Sequence, residues 1–209
     1  MNTLIVSYLP SGERSNTKQL LDALLTRIPA INMERLDLLQ DVPDMFDELR
    51  LSAYIDRNYQ NKTLSAEQQN AIQKMDRMTA QLKSADIVVI AYPMHNFSMP
   101  AMIKAYFDSV MQKGVTWSIG SKGFEGLMKG KKALVLTSSG GVYEGPMVSW
   151  EHSTTLAKTE FSFMGFSDVR VISAAGLNMD PQKTDQIIDD AKKQLRVAIK
   201  EWWPANGQP

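Results

Sequence analysis

The segment Asp86-Ile-Val-Val-Ile-Ala91 is the feature of this chain that most constrains its fold. A strand with one solvated face alternates apolar and polar residues, whereas this run is apolar throughout after its first residue. Such a run is typical of a central strand in a parallel sheet that helices cover on both faces. The segment therefore predicts a strand buried at the middle of an α/β fold.

Four other strand-forming runs alternate with amphipathic segments along the rest of the chain. This alternation predicts an α/β fold: a five-stranded parallel sheet with helices on both faces. No repeat or linker interrupts the pattern, so we expect one domain over residues 1–209. The other predicted strands are 4–6, 31–38, 132–137 and 169–174; the predicted helices begin near Ser15, span 45–58 and 66–82, begin at Pro100, and span 149–163 and 181–203; a glycine-rich surface excursion covers 114–129.

Composition excludes several classes of protein. Lys plus Arg and Asp plus Glu number 23 each, so no field of one sign favours nucleic acid or an anionic membrane. The chain has no cysteine, which excludes disulfides, thiolate metal sites and cysteine nucleophiles. The beginning of the sequence, MNTLIVSYLP, lacks the pattern of a signal peptide, and no apolar stretch is long enough to span a bilayer. We expect a cytoplasmic protein with no membrane or nucleic-acid partner and no metal site.

Three loops follow the predicted strands 4–6, 86–91 and 132–137. Ligands of open parallel sheets bind beyond the carboxyl ends of the strands. The first loop leads into a helix through Ser15, Asn16 and Thr17, whose N–H groups and hydroxyls suit one phosphate monoester. An ordinary N-capped helix is the alternative. Gly12 is the only glycine of this loop, so neither G-x-G-x-x-G nor a Walker loop fits.

The second and third loops differ from the first in chemistry. The second mixes soft apolar and amide side chains and suits a flat heteroaromatic ring. The third has two adjacent glycines that allow close backbone approach, although a tight turn is the alternative. Together, the three loops favour FMN, with its phosphate at the first loop and its ring between the other two. The candidate ring contacts are Met94, His95, Asn96 and Phe97 in the second loop and Ser138, Ser139, Gly140 and Gly141 in the third.

A resemblance to a known family adds to this interpretation. The runs that carry it are GERSNT, PMHNF, IKAYFD, GVTW, GKKA, TSSGG and FSFMGFSDVRVISAAG. With these runs, the sequence resembles the FMN-dependent NADH-azoreductase family of flavodoxin-like quinone reductases over nearly its whole length and in the same order. The resemblance implies a flavodoxin-like fold, FMN at the interface of a homodimer, and ping-pong transfer of two electrons from NADH or NADPH to quinone or azo substrates.

Some positions depart from the family or have two interpretations. Many members have serine in place of Leu9, where Ser11 could compensate, and other residues in place of Ser139 and His95. Tyr143 or His95 could donate a proton to the reduced acceptor, or could only line the site. Trp117 could lie over the flavin of a partner subunit or pack on its own hairpin.

Two other functions remain open at the level of sequence. A flavodoxin-like electron carrier would also bind FMN, although such carriers are usually shorter and strongly acidic. The family has also been labelled acyl-carrier-protein phosphodiesterase, a hydrolysis normally assisted by metals. The chain has only two histidines, His95 and His152, and no His/Asp cluster that could hold such metals is evident in the sequence.

Overall fold

A five-stranded parallel sheet forms the centre of the protein. The computed structural model describes residues 1–204, and the strand order is β2-β1-β3-β6-β7. This confirms the predicted flavodoxin-like α/β fold, with the Asp86–Ala91 run in the middle strand. The strands of the sheet are β1 (Thr3–Ser7), β2 (Met33–Asp37), β3 (Ile87–Pro93), β6 (Lys132–Ser138) and β7 (Asp168–Ala174).

Residues 1–204 contain seven α-helices: α1 (Asn16–Leu25), α2 (Glu48–Asn58), α3 (Ala66–Ala71), α4 (Gln73–Ser84), α5 (Ala101–Val110), α6 (Ser153–Met164) and α7 (Thr184–Trp202). Five of them cover the sheet in two layers. One face is covered by α4, α5 and α6, and the other by α1 and α7, so each face buries its own apolar cluster. Both clusters include side chains of β3, which is why this strand is apolar at consecutive positions.

The predicted helix 66–82 is wrong in its continuity. The structure divides it at Ile72, whose φ of −105° and ψ of 7° are not helical. Ile72 is fully buried in a small cluster with Ala53, Leu64 and Met75, so tertiary packing rather than local propensity sets the break. The predicted start is correct, since Ser65 and Gln68 form a capping box.

Other element boundaries also differ from the prediction. Helix α2 begins at residue 48 rather than 45, because the Asp47 side chain accepts from the N–H of Arg50 and caps the helix there. The predicted helix 149–163 is a 3-10 turn over Gly145–Trp150 followed by α6. The last predicted helix begins as a 3-10 turn capped by Asp180, as expected, and continues as α7.

The excursion over residues 114–129 contains an antiparallel hairpin of β4 (Trp117–Gly120) and β5 (Gly123–Gly126). The hairpin is held against the end of α6, where Gly165 has a φ of +94° and terminates the helix. A Cβ at Gly126 would lie 2.3 Å from the backbone nitrogen of Gly165. Two glycines therefore allow the two backbones to meet.

The prediction of one domain over residues 1–209 includes 205–209, which lie outside the described residues. Within residues 1–204, no helix is long and apolar enough to cross a membrane.

Candidate active site

The three loops chosen from the sequence meet at one edge of the sheet. β1, β3 and β6 are neighbours in the sheet, and their registers pair Ser7 with Ala91 and Pro93 with Ser138. Parallel neighbours end on the same side, so the segments that follow these strands converge there. The N–H of Met94 donates to the carbonyl of Ser138 at 2.8 Å and ties the second loop to the third.

The first loop presents a helix N-terminus to this edge. Ser15 caps α1, and its Oγ accepts from the N–H of Lys18 at 3.2 Å. The N–H groups of Asn16 and Thr17 have no acceptor among residues 1–204. Two unpaired amides at the positive end of a ten-residue helix form a site for an anion such as a phosphate.

The hydroxyls of this loop are arranged differently from what the sequence suggested. Thr17 is fully buried, and its Oγ1 shares a hydrogen bond of 2.7 Å with Ser138 Oγ, so this pair joins α1 to β6. The Ser15 hydroxyl serves as the helix cap. Ser11, by contrast, is exposed and makes no side-chain capping bond, while Leu9 packs against the core.

The second loop folds into a tight turn with unusual backbone geometry. His95 and Ser98 exchange N–H···O=C bonds of 2.9 and 3.0 Å around Asn96 and Phe97. Asn96 has a φ of 44° and Phe97 one of 71°, so both lie in the left-handed region that a type I′ turn requires. This conformation is common for asparagine but costly for phenylalanine, and strain of this kind concentrates at functional sites.

The third loop is supported from behind by residues 176–178, which the sequence did not single out. The N–H groups of Gly176, Leu177 and Asn178 donate to the carbonyls of residues 139–141 at 3.0 to 3.1 Å. In the described part of the chain, the N–H groups of Gly140 and Gly141 have no acceptor. The carbonyls of this loop are therefore paired within the protein, whereas two of its N–H groups are available to a ligand.

An exposed group of aromatic rings lies beside the second loop. Phe97 contacts Tyr143 and Trp150 edge to face, with centroid distances of 5.9 and 5.8 Å, and we call these three residues the aromatic cluster. Trp150 was not identified from sequence; it ends the 3-10 turn that follows Tyr143 in the chain. His95 contacts Tyr8, also missed, at 6.0 Å. The cluster gives the site a flat apolar surface.

Trp117 is not exposed to the site. Its ring is 8% exposed and packs on Phe124 and Phe163, with centroids 5.8 and 5.2 Å away, and its Nε1 donates to the Met111 carbonyl. Of the two interpretations of Trp117, the structure favours packing on its own hairpin.

No group of three or more His, Cys, Asp or Glu side chains within residues 1–204 is placed to hold a metal ion. The residues at the site instead offer four unpaired amides in two pairs and an apolar surface. This arrangement fits a ligand with a phosphate at one end and a flat ring with polar edges at the other, as in FMN.

Comparisons with known proteins agree with this geometry. A family model described as "Flavodoxin-like fold" matches residues 1–199. The chain is 34% identical over 172 residues to FMN-dependent NADH:quinone oxidoreductase 3 of Pseudomonas aeruginosa, covering 82% of this chain and 78% of that protein. It is also 34% identical to FMN-dependent NADH:quinone oxidoreductase of Acidovorax ebreus, covering 91% and 88%.

A solved structure is similar over almost the whole chain. The FMN-dependent NADH-azoreductase from Bacillus anthracis in complex with FMN superposes with a TM-score of 0.84 at 30% identity, covering 97% of this chain and 100% of that one.

Proposed function

Because this chain belongs to the flavodoxin-like family of FMN-dependent NADH:quinone oxidoreductases and azoreductases, we propose that it passes two electrons from NADH or NADPH to quinones, azo compounds or both, in two separate half-reactions. The observation that carries the proposal is the convergence of the unpaired amides of Asn16, Thr17, Gly140 and Gly141 at one sheet edge, beside an exposed aromatic cluster. FMN, when bound, supplies the redox chemistry by accepting a hydride and releasing two electrons to an acceptor.

The chain's own contribution is binding and orientation. The N–H groups of Asn16 and Thr17 would hold the phosphate, with Ser15 fixing the helix that presents them. The ring would lie between the second and third loops, Met94–Phe97 and Ser138–Gly141. There the N–H groups of Gly140 and Gly141 would stabilise negative charge at the ring edge, in a role like that of an oxyanion hole.

The aromatic cluster supplies the surface on which the nicotinamide and then the acceptor bind. A single place for both substrates fits separate half-reactions. Phe97 and Trp150 would exclude water from this place, and Tyr143, whose ring contacts Phe97, would offer its hydroxyl as a proton donor to the reduced acceptor. His95 is a second candidate donor.

We also propose that two copies of the chain associate. Helix α2 is fixed by burial of Ala53 and by Arg57, which donates to both carboxylate oxygens of Asp76 at 2.7 and 2.8 Å. This orientation leaves Leu51, Ile55 and Tyr59, spaced four residues apart, 45%, 36% and 46% exposed. An exposed apolar row on a rigid helix is typical of an interface, and a second copy is the partner that the family resemblance implies.

Sedimentation tests the assembly. We expect a dimer for the wild type and weakening of the dimer by at least tenfold in Ile55→Lys. Val197→Lys, at a similarly exposed apolar position on α7, is the matched control and should remain dimeric. A monomeric wild type would refute the assembly.

Steady-state kinetics test the activity itself. Protein loaded with FMN should oxidise NADH or NADPH rapidly when a benzoquinone or an azo dye is present, and initial rates should give parallel reciprocal plots. Protein that binds FMN but does not oxidise either nicotinamide would be an electron carrier instead. We place the activity in the cytoplasm, where reduced nicotinamides are available.

A further inference from the structure

Tyr92 lies directly beneath the candidate site. It is the penultimate residue of β3 and is fully buried, and its hydroxyl donates to the backbone carbonyl of Ser153 at 3.1 Å. Ser153 is the first residue of α6. Tyr92 therefore connects the central strand to the beginning of a helix that is distant in sequence.

Among the buried hydroxyls at this point, that of Tyr92 makes the hydrogen bond between β3 and α6. Thr137, the register partner of Tyr92 on β6, and Ser153 each have a buried side-chain oxygen with no hydrogen bond within residues 1–204. Burial raises the pKa of Tyr92, so its hydroxyl keeps its proton and remains a donor over the whole physiological range.

The residue before Ser153 makes a second attachment. The N–H of His152 donates to the carbonyl of Phe97 at 2.8 Å, so two consecutive residues hold the start of α6, one to β3 and one to the strained turn. The chain immediately before His152 is the 3-10 turn that carries Trp150, whose ring contacts Phe97. The aromatic cluster is thus fastened to the start of α6.

We propose that Tyr92 is a positioning residue whose hydroxyl holds the start of α6 and, through the His152–Phe97 hydrogen bond, sets the arrangement of the aromatic cluster over which both substrates bind. The role in substrate binding rests on the proposed function, whereas the role in holding the segment does not. The hydroxyl makes no hydrogen bond to the first loop, so its loss should leave the phosphate site at Asn16 and Thr17 intact and act on the second loop.

Tyr92→Phe tests the proposal, with Tyr106→Phe as the matched control. Tyr106 is also fully buried in the same apolar cluster, but its hydroxyl has no partner among the described residues. Hydrogen–deuterium exchange of FMN-free protein should be faster by about tenfold in Tyr92→Phe for peptides covering 95–98 and 144–154. A change of this size is what the loss of about one hydrogen bond would produce in the local opening equilibrium. Peptides from α7 should not change, and Tyr106→Phe should match the wild type throughout.

Kinetics of the FMN-loaded protein give the second measurement. In Tyr92→Phe we expect KM for the nicotinamide and for a bulky quinone to rise about fivefold, with kcat of the FMN-saturated protein within twofold of the wild type. Unchanged exchange in 144–154, or an equal increase over the whole protein, would overturn the positioning role. If the wild type bound no FMN, the proposed function would fail, and the exchange comparison would still decide what Tyr92 holds.

Discussion

A buried carboxyl on α6 makes the stability of this protein depend on pH in an unusual direction. The Glu160 side chain is 7% exposed; its Oε1 lies 3.6 Å from Lys104 Nζ, and its Oε2 has no partner within residues 1–204. Burial raises the pKa of Glu160 from 4.5 to about 7, against the opposing effect of Lys104 and with a further increase from Asp108. The carboxyl is therefore largely neutral in the folded protein at mildly acidic pH.

The magnitude follows from linkage. The folded protein holds this proton more tightly than the unfolded chain does, so the favourable contribution is complete below pH 4.5 and is lost as the pH rises through about 7. A pKa increase of this size corresponds to about 3 kcal/mol of unfolding free energy between those limits. Glu160→Gln keeps the shape and removes the ionisation. It should lie within about 1 kcal/mol of the wild type near pH 5 and exceed it in stability by about 3 kcal/mol near pH 8.

Urea denaturation of FMN-free protein, followed by tryptophan fluorescence from pH 5 to 8.5 at one protein concentration, measures this difference. The matched control is Glu125→Gln, since Glu125 is an exposed partner of Lys129 whose pKa is lowered rather than raised. The control should leave the pH dependence over this interval unchanged. Parallel curves for wild type and Glu160→Gln would refute the argument that burial governs this carboxyl.

Two further predictions concern the backbone. Asn16→Pro removes one unpaired amide at the first position of a helix, which accepts proline, so FMN affinity should fall about tenfold or more. Asn16→Ala and Glu48→Pro, the latter at the first position of α2, should retain the wild-type affinity. Fluorescence titration with FMN measures this, and equal affinity in Asn16→Pro would contradict the phosphate assignment. Gly126→Ala places a Cβ 2.3 Å from a backbone atom of Gly165 and should lower the free energy of unfolding in urea by about 3 kcal/mol. Gly120→Ala lies in the same hairpin, has no atom within 4 Å of its Cβ, and should leave that free energy nearly unchanged. Equal stability of the two variants would show that the hairpin moves freely on α6.

Sequence reasoning identified the elements whose signals are local. The apolar run of β3 and the cap at Ser65 depend on residues that are adjacent in the chain, and both were correct. The break at Ile72 could not be seen, because the apolar spacing of a helix continues across it. The break comes from burial of Ile72 against α2, a contact that the sequence does not reveal.

The three loops of the candidate site were predictable from the sequence, whereas the residues that pack behind and beside them were not. Three loops at strand ends were the candidate ligand site, and the structure brings them together at one edge of the sheet. Its left-handed Phe97 could not be foreseen, because phenylalanine rarely adopts such a backbone and tertiary hydrogen bonds impose it. Trp150 and residues 176–178 reach the site from other parts of the chain, so only the folded topology reveals their contribution.

The unpaired amides have a consequence for how such a protein diversifies. A peptide N–H is present whatever side chain the residue carries, so under the proposed function the hold of Asn16 on the phosphate would be largely insulated from substitution there. Gly140 is constrained for a different reason, because a Cβ there would lie 2.5 Å from the Asn178 side chain. Cofactor binding and acceptor choice would then depend on different chemistry, backbone groups for the first and exposed side chains for the second.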